Sequence, residues 1–142
     1  MSQSVSLNHA KPDAADLVAA ARRLGAIIRD RRDESERERR LPATVLSAMH
    51  DARLFRMYVP IEYGGLETDP ITSMQVVEAV AEADAAVAWN LMIGATYGIW
   101  AAYLPEASAR EIYGAPTGSI SPSMTTCRCA RPATPSMPPA GI

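Results

Sequence analysis

The chain has 142 residues, a length that suits one domain with a modest hydrophobic core. Hydrophobic residues make up 48% of it and charged residues 21%, which is ordinary for a soluble globular protein. The formal net charge is −2, so the protein offers no electrostatic attraction to the phosphates of nucleic acid or of an anionic membrane. We therefore expect no nucleic-acid partner.

The start of the chain and the two cysteines bear on location. Residues 1–11 are polar, without the apolar stretch of a secretory signal, and we expect a flexible leader there. Cys127 and Cys129 are one residue apart, a spacing that does not suit an ordinary structural disulfide. A cytoplasmic location is the expectation that follows.

The first predicted helix begins at Pro12 and Asp13. Its apolar stripe recurs at steps of four, three and four residues, at Leu17, Ala21, Leu24 and Ile28. From residue 29 to residue 40 almost every side chain is charged, with both signs mixed. Such a run is typical of a solvated helix end with ion pairs, rather than of a nucleic-acid patch.

A second helix is predicted after Leu41-Pro42, since proline is tolerated in the first turn of a helix. Its inward residues would be Val45, Leu46 and Met49. His50 lies beside them, and a single histidine on such a helix is more often a satisfied residue than a metal ligand. Residues 54–60 alternate in character and predict an extended segment, which a turn at Tyr63-Gly64-Gly65 would reverse.

Asp69-Pro70 predicts the start of a third helix, with an N-cap acceptor followed by proline at the first helical position. We expect its inward stripe at Ile71, Met74 and Val77, with Val76 and Val80 alongside. Asp84 can then cap a further helix, and Leu104-Pro105-Glu106 predicts the start of the last one, which Gly114 would end.

Twenty consecutive residues without charge lie from Ala85 to Leu104, long enough to span a bilayer. Asn90, Thr96, two glycines and many alanines make the segment only weakly apolar. The buried centre of a helical protein can have the same composition. We favour a buried helix and keep a membrane span as the alternative.

In this order, several segments resemble the entry region of the acyl-CoA dehydrogenases and their relatives. They are the charged helix leading into Leu41-Pro42, the run Val59 to Leu66 with its two glycines, and Asp84 to Trp89. The resemblance covers roughly residues 12–123. Around Asp84 to Trp89 it is closer to the flavin-dependent monooxygenase branch, which hydroxylates aromatic or heterocyclic substrates.

The resemblance implies an all-α N-terminal helical domain over residues 12–115. Members of the family add a middle β-domain and a C-terminal four-helix bundle, hold FAD or FMN between those two, and usually form homotetramers. The catalytic glutamate of the dehydrogenases lies in the bundle. The resemblance therefore assigns no catalytic residue, no metal ligand and no known cofactor-binding residue to this chain, which we expect to bind no flavin alone.

The N-terminal helices of the family form part of the wall of the substrate pocket. The resemblance places Ile93, Tyr97 and Trp100 where pocket-lining residues lie in relatives. The alternative is that all three are core residues. The substrate of the parent enzyme would be a small molecule, either an acyl-CoA or an aromatic compound.

Residues 116–142 differ in composition from the rest of the chain. Six of the 11 prolines and both cysteines lie there, without any acidic residue. Repeated proline precludes a regular helix or strand, so we expect a disordered tail, produced by a shift of reading frame near Met124. A metal or redox role for Cys127 and Cys129 is the rival interpretation, but two thiols supply only part of a tetrahedral site.

Together these expectations describe the N-terminal fragment of a flavin-dependent oxidoreductase, inactive alone and prone to self-association through the face that would meet the rest of the enzyme. Two alternatives stay open. The chain could be one subunit of a split flavoenzyme that a second chain completes, or a small helical protein that binds a membrane or a partner.

The nucleotide sequence tests the frame shift. We expect a shifted frame just downstream of codon 123 to encode alternating apolar and polar residues, the pattern of β-strands. Sequencing the locus and translating all three frames checks this. Three frames without such a pattern would contradict it.

Overall fold

The structure is a computed structural model that describes residues 12–114. Within that range the secondary structure is helical throughout and contains no strand, so the all-α prediction is confirmed. The α-helices are α1 (Ala14–Asp30), α2 (Arg32–Glu38), α3 (Ala43–Asp51), α4 (Pro70–Ala81), α5 (Ala85–Thr96) and α6 (Glu106–Tyr113). Short 3₁₀ helices cover Leu54–Arg56, Ile61–Tyr63 and Tyr97–Tyr103. The predicted leader (1–11) and tail (116–142) lie outside the described residues.

Helix α1 forms one wall of the main core. Its predicted stripe is confirmed, because all four members are buried: Leu17, Ala21, Leu24 and Ile28. The helix starts as predicted at Asp13, whose carboxylate accepts a hydrogen bond of 2.7 Å from the amide of Ala14. α1 packs mainly against α4, which in turn packs against α5.

Helix α2 is the charged segment, and none of its residues is buried. Arg31 pairs with Glu34 at 3.2 Å. Arg32 lies 3.4 Å from the carboxylate of Asp84, the N-cap residue of α5. The prediction of a solvated helix with ion pairs is confirmed, and one of these pairs also ties α2 to the start of α5.

The predicted extended segment at residues 54–60 is wrong. Leu54–Arg56 is a turn of 3₁₀ helix, and four consecutive residues, 54 to 57, are buried. The segment alternates in character because it contacts apolar clusters on two sides. Leu54 belongs to the main core, whereas Val59 belongs to a second apolar cluster with Tyr63 and Tyr113.

The turn at Gly64-Gly65 is confirmed. Gly64 has a φ of +74°, the left-handed conformation that glycine adopts without steric cost. Gly65 lies so close to the preceding loop that a Cβ atom there would be 1.8 Å from the carbonyl oxygen of Val59. The chain then runs back along itself, with the amide of Leu66 donating to the carbonyl of Arg56 at 3.0 Å.

Helix α4 begins as predicted at Asp69, whose carboxylate accepts from the amide of Thr72 at 3.0 Å. Its predicted inward stripe is partly wrong, since Ile71 and Met74 are each 70% exposed. The buried face consists instead of small or β-branched residues: Thr72, Ser73, Val76, Ala79 and Val80. α4 lies between α1 and α5, and small side chains let it approach both neighbours closely.

A buried arginine joins the two ends of the second cluster. Arg56 is 5% exposed, and its guanidinium donates to the main-chain carbonyls of Tyr63, Gly64 (3.0 Å) and Tyr113 (2.7 Å). Tyr113 is the last residue of α6, where main-chain carbonyls lack a hydrogen-bond donor within the helix. Burial, and then the charge of nearby Arg53, lower the pKa of Arg56. The side chain thus fastens the Tyr63-Gly64 turn to the end of α6.

Replacing Arg56 with methionine should lower the free energy of unfolding by about 3 kcal/mol, because the buried carbonyls of Tyr63 and Tyr113 lose a charged donor. Equilibrium urea unfolding measures this. Arg53→Met is the matched control, since Arg53 donates to the same Gly64 carbonyl (2.7 Å) from a partly exposed position. We expect a loss of less than about 1 kcal/mol for the control. Equal losses in the two variants would contradict the assignment.

The N-cap of α4 should make stability depend on pH. Hydrogen bonds from Thr72, first from its side chain and then from its amide, lower the pKa of Asp69 below the ordinary 3.8. The ionised cap therefore stabilises the fold above that value, and the contribution is lost as the pH falls through the lowered pKa. Asparagine caps a helix about as well but does not titrate. Thermal melts from about pH 5 to about pH 2 should show a steeper loss for the wild type than for Asp69→Asn; parallel losses would be evidence against this role.

Candidate functional site: an exposed aromatic face

Helix α5 has one buried side. Asp84 caps it as predicted, accepting hydrogen bonds from the amides of Ala86 (2.8 Å) and Val87 (3.1 Å). The inward residues contact α4 and the 3₁₀ turn at Leu54–Arg56. They are Val87, Ala88, Leu91, Gly94 and Ala95.

After Thr96 the helix tightens to a 3₁₀ helix, so residues three apart lie above one another. Gly98 and Ala101 are both buried on the inner side. A Cβ atom at Gly98 would come within 2.9 Å of the main-chain nitrogen of Val59, so only glycine allows this close contact. The same step of three places Tyr97, Trp100 and Tyr103 together on the outer side.

The outer side continues onto α5. With 100° per residue in an α-helix and 120° in a 3₁₀ helix, five large side chains fall within an arc of about 80°. We call these residues the aromatic face: Trp89, Ile93, Tyr97, Trp100 and Tyr103. Trp89 is 63% exposed, Trp100 57% and Tyr103 76%, while Ile93 and Tyr97 are half-buried.

Apolar chemistry dominates this surface. The rings of Trp100 and Tyr103 lie 6.1 Å apart at a tilt of 60°. The neighbouring polar side chains bond to their own helix, with Asn90 donating to the carbonyl of Ala86 (2.8 Å) and Thr96 to that of Met92 (2.7 Å). The aromatic face carries no acidic or basic side chain. It can therefore bind and orient an apolar or planar molecule, but it offers no strong acid or base for catalysis.

Tyr113 connects α6 to the aromatic face. Its hydroxyl donates to the carbonyl of Tyr97 at 2.7 Å, at the point where α5 becomes a 3₁₀ helix. Its ring is buried against Val59 and Ala101, and burial raises the pKa of the phenol. The guanidinium of Arg56 donates a hydrogen bond to the main-chain carbonyl of Tyr113. Tyr113 was not among the candidate residues, because nothing in its sequence context marks it.

The structure brings Ile93, Tyr97 and Trp100 together on one face. None of the three is buried, so the alternative that all three are core residues does not describe this fold. Their role as the wall of a substrate pocket stays a prediction. Sequence reasoning missed Trp89 and Tyr103, although steps of four before Ile93 and three after Trp100 could have found them.

Two surface clefts along α1 and α4 are possible cofactor sites among the described residues. One, of about 410 Å³, is lined by the capping carboxylates Asp13 and Asp69 and by Thr68, whose buried hydroxyl has no hydrogen-bond partner among the described residues. The other is lined in part by Glu78, Glu82 and Arg22. Carboxylates repel the phosphate of a flavin nucleotide, so the first cleft, which has no basic side chain in its lining, does not fit that group.

Among residues 12–114 no group of three or more potential ligands is placed to hold a metal ion. His50 packs against the ring of Phe55 at 4.8 Å, and burial lowers its pKa.

One helical stretch, Ala85–Tyr103, is long and apolar enough to cross a membrane by length and composition, with a mean hydropathy of 1.2 and 39% of its residues buried. The buried core helix of a soluble protein passes the same test.

Comparison with known proteins decides the family. The sequence profile of the acyl-CoA dehydrogenase N-terminal domain matches residues 12–111. The chain belongs to the acyl-CoA dehydrogenase family. This match confirms the resemblance seen in the sequence, and the aromatic face is a surface of the acyl-CoA dehydrogenase N-terminal domain.

Curated relatives of this acyl-CoA dehydrogenase domain are flavin-dependent monooxygenases. It is 31% identical to indole-3-acetate monooxygenase of Pseudomonas putida over 86 residues, which are 61% of this chain and 22% of the relative. It is 30% identical over 102 residues to the flavin-dependent monooxygenase oxygenase subunit HsaA of Mycobacterium tuberculosis, with coverages of 72% and 26%. The HsaA protein of Rhodococcus jostii is 26% identical over 87 residues, with coverages of 61% and 23%. The chain thus spans about a quarter of the length of these relatives.

Proposed function

We propose that this chain is the N-terminal domain of a flavin-dependent monooxygenase, and that its aromatic face forms part of the wall of the substrate pocket. The observation that carries the proposal is the aromatic face itself: three aromatic side chains, at positions 89, 100 and 103, are more than half exposed on a helix whose other side is core. Monomeric proteins rarely leave such a surface uncovered.

The substrate class follows from the chemistry of the face. Tryptophan and tyrosine rings favour stacked or edge-on contacts with another planar ring. An aromatic or heterocyclic substrate therefore suits the face better than the flexible aliphatic chain of an acyl thioester. One relative is named for its action on indole-3-acetate, and such an aromatic acid is the kind of compound that we propose for the parent enzyme.

The reaction belongs to the parent enzyme rather than to this chain. Flavin, when bound, would supply the oxygen chemistry, and the protein would bind and orient the substrate. The cleft lined by Asp13 and Asp69 does not suit a flavin phosphate, and the aromatic face carries no carboxylate, imidazole or amine that could transfer a proton. These observations support the proposal that the chain binds no flavin alone and has no activity alone.

The isolated chain should self-associate through the aromatic face. Replacing Trp100 and Tyr103 together with serine should shift sedimentation towards monomer and reduce binding of a hydrophobic dye, because exposed apolar area drives both. Ile71→Ser with Met74→Ser is the matched control, since these side chains are equally exposed on α4 but lie outside the aromatic face. The control should associate as the wild type does.

The same preparations test the rest of the proposal. We expect no flavin absorbance in the purified wild-type chain and no hydroxylation of indole-3-acetate when reduced flavin is added. Stoichiometric flavin or unaided turnover would overturn the proposal, and so would a monomeric wild type that binds no dye. Copurification with a second, flavin-bearing chain would instead identify one subunit of a split enzyme.

A further inference from the structure

The 3₁₀ helix at Tyr97–Tyr103 is unusually long. It has seven residues, whereas runs beyond three or four are uncommon because their hydrogen-bond geometry is poorer than that of an α-helix. Nothing in the residue types between Thr96 and Leu104 forbids an α-helix, since proline first appears at position 105. A contact from outside the segment is therefore needed to explain why α5 does not simply continue.

Tyr113 supplies that contact. In a continuing α-helix the carbonyl of Tyr97 would accept from the amide of residue 101. In the 3₁₀ helix it accepts from the amide of residue 100 instead, and the phenol of Tyr113 also donates to that oxygen at 2.7 Å. Tyr113 is 1% exposed, and its main-chain carbonyl accepts from the buried guanidinium of Arg56, so burial fixes its ring and the hydrogen bond fixes its main chain.

The type of helix decides where the aromatic side chains point. In the 3₁₀ helix Tyr97, Trp100 and Tyr103 lie in one line, because three residues complete a turn. In an α-helix Trp100 would be displaced by about 60° and Tyr103 by about 120° around the axis from Tyr97. Such a change would disperse the face and turn Tyr103 towards a different side of the domain.

We propose that Tyr113 is a positioning residue: through the Tyr97 carbonyl it holds residues 97–103 in the 3₁₀ form, and so keeps the three aromatic side chains aligned on the surface that faces the substrate. This rests on the proposed function for the meaning of that surface. The alignment itself rests only on the geometry of Tyr113, Arg56 and the 3₁₀ helix.

Tyr113→Phe tests the inference, because it removes the hydroxyl and keeps the buried ring. Nuclear Overhauser contacts in the isotopically labelled 142-residue chain distinguish the two helix types, with α-proton to amide contacts two residues apart in a 3₁₀ helix and four apart in an α-helix. We expect the first kind across residues 97–103 of the wild type. In Tyr113→Phe we expect their loss and the appearance of the second kind.

Tyr63→Phe is the matched control, since Tyr63 belongs to the same apolar cluster and its hydroxyl is not bonded to Tyr97. A role of Tyr113 in stability alone would lower the melting temperature of Tyr113→Phe and leave its contact pattern unchanged. Should Tyr113→Phe fail to fold, Arg56→Lys releases Tyr113 from its other end while keeping a positive charge, and the contacts two residues apart should weaken there.

Three results would overturn the inference: an α-helical pattern in the wild type, an unchanged 3₁₀ pattern in Tyr113→Phe or in folded Arg56→Lys, or the same loss in Tyr63→Phe. Each is read from the backbone and does not depend on any substrate. A failure of the proposed function would appear in the dye-binding and sedimentation measurements instead, so the two failures are distinguishable.

Discussion

The buried guanidinium of Arg56 is the constraint on which this domain depends. It joins the turn at Tyr63-Gly64 to the carbonyl of Tyr113, which lies 57 residues beyond Arg56 in the chain. The C-terminal end of a helix carries partial negative charge, so the last residue of α6 is a favourable partner for a buried cation. Because Tyr113 in turn bonds to Tyr97, a single arginine sets the positions of the turn, of α6 and of the 3₁₀ helix that carries the aromatic face.

One helical segment of the domain has two apolar sides, and the described part of the fold buries only one of them. Leu91 and Ala95 are fully buried in the main core, whereas Trp89 and Trp100 lie on the opposite side of the same helical segment. Apolar composition on all sides made this segment a candidate for a membrane span or a buried core helix. The structure supports a different explanation, in which one side folds the domain and the other is available to further polypeptide or to a substrate.

Local signals in the sequence predicted the helices well, and contacts distant in sequence account for the errors. The α1 stripe and the caps at Asp69 and Asp84 were predictable, because N-cap chemistry and helical periodicity act within one or two turns. The inward stripe of α4 was wrong because two neighbouring helices, rather than hydrophobicity, select its buried face. The extended interpretation of residues 54–60 failed for the same reason: a segment enclosed on both sides alternates without belonging to a sheet. The candidate residues of the site came from resemblance, since the step of three that aligns them depends on Tyr113, which no local pattern reveals.

The two sides of α5 and of the 3₁₀ helix that follows it would change differently over evolutionary time. Exchanging Leu91 for a smaller side chain leaves a cavity and weakens the fold at once. Exchanging Trp89 or Trp100 removes little that the folded domain uses for its own cohesion, since more than half of each side chain meets solvent. A contact beyond the folded domain would preserve such positions, so in a lineage that had lost such a contact the outward tryptophans would change before the inward leucine.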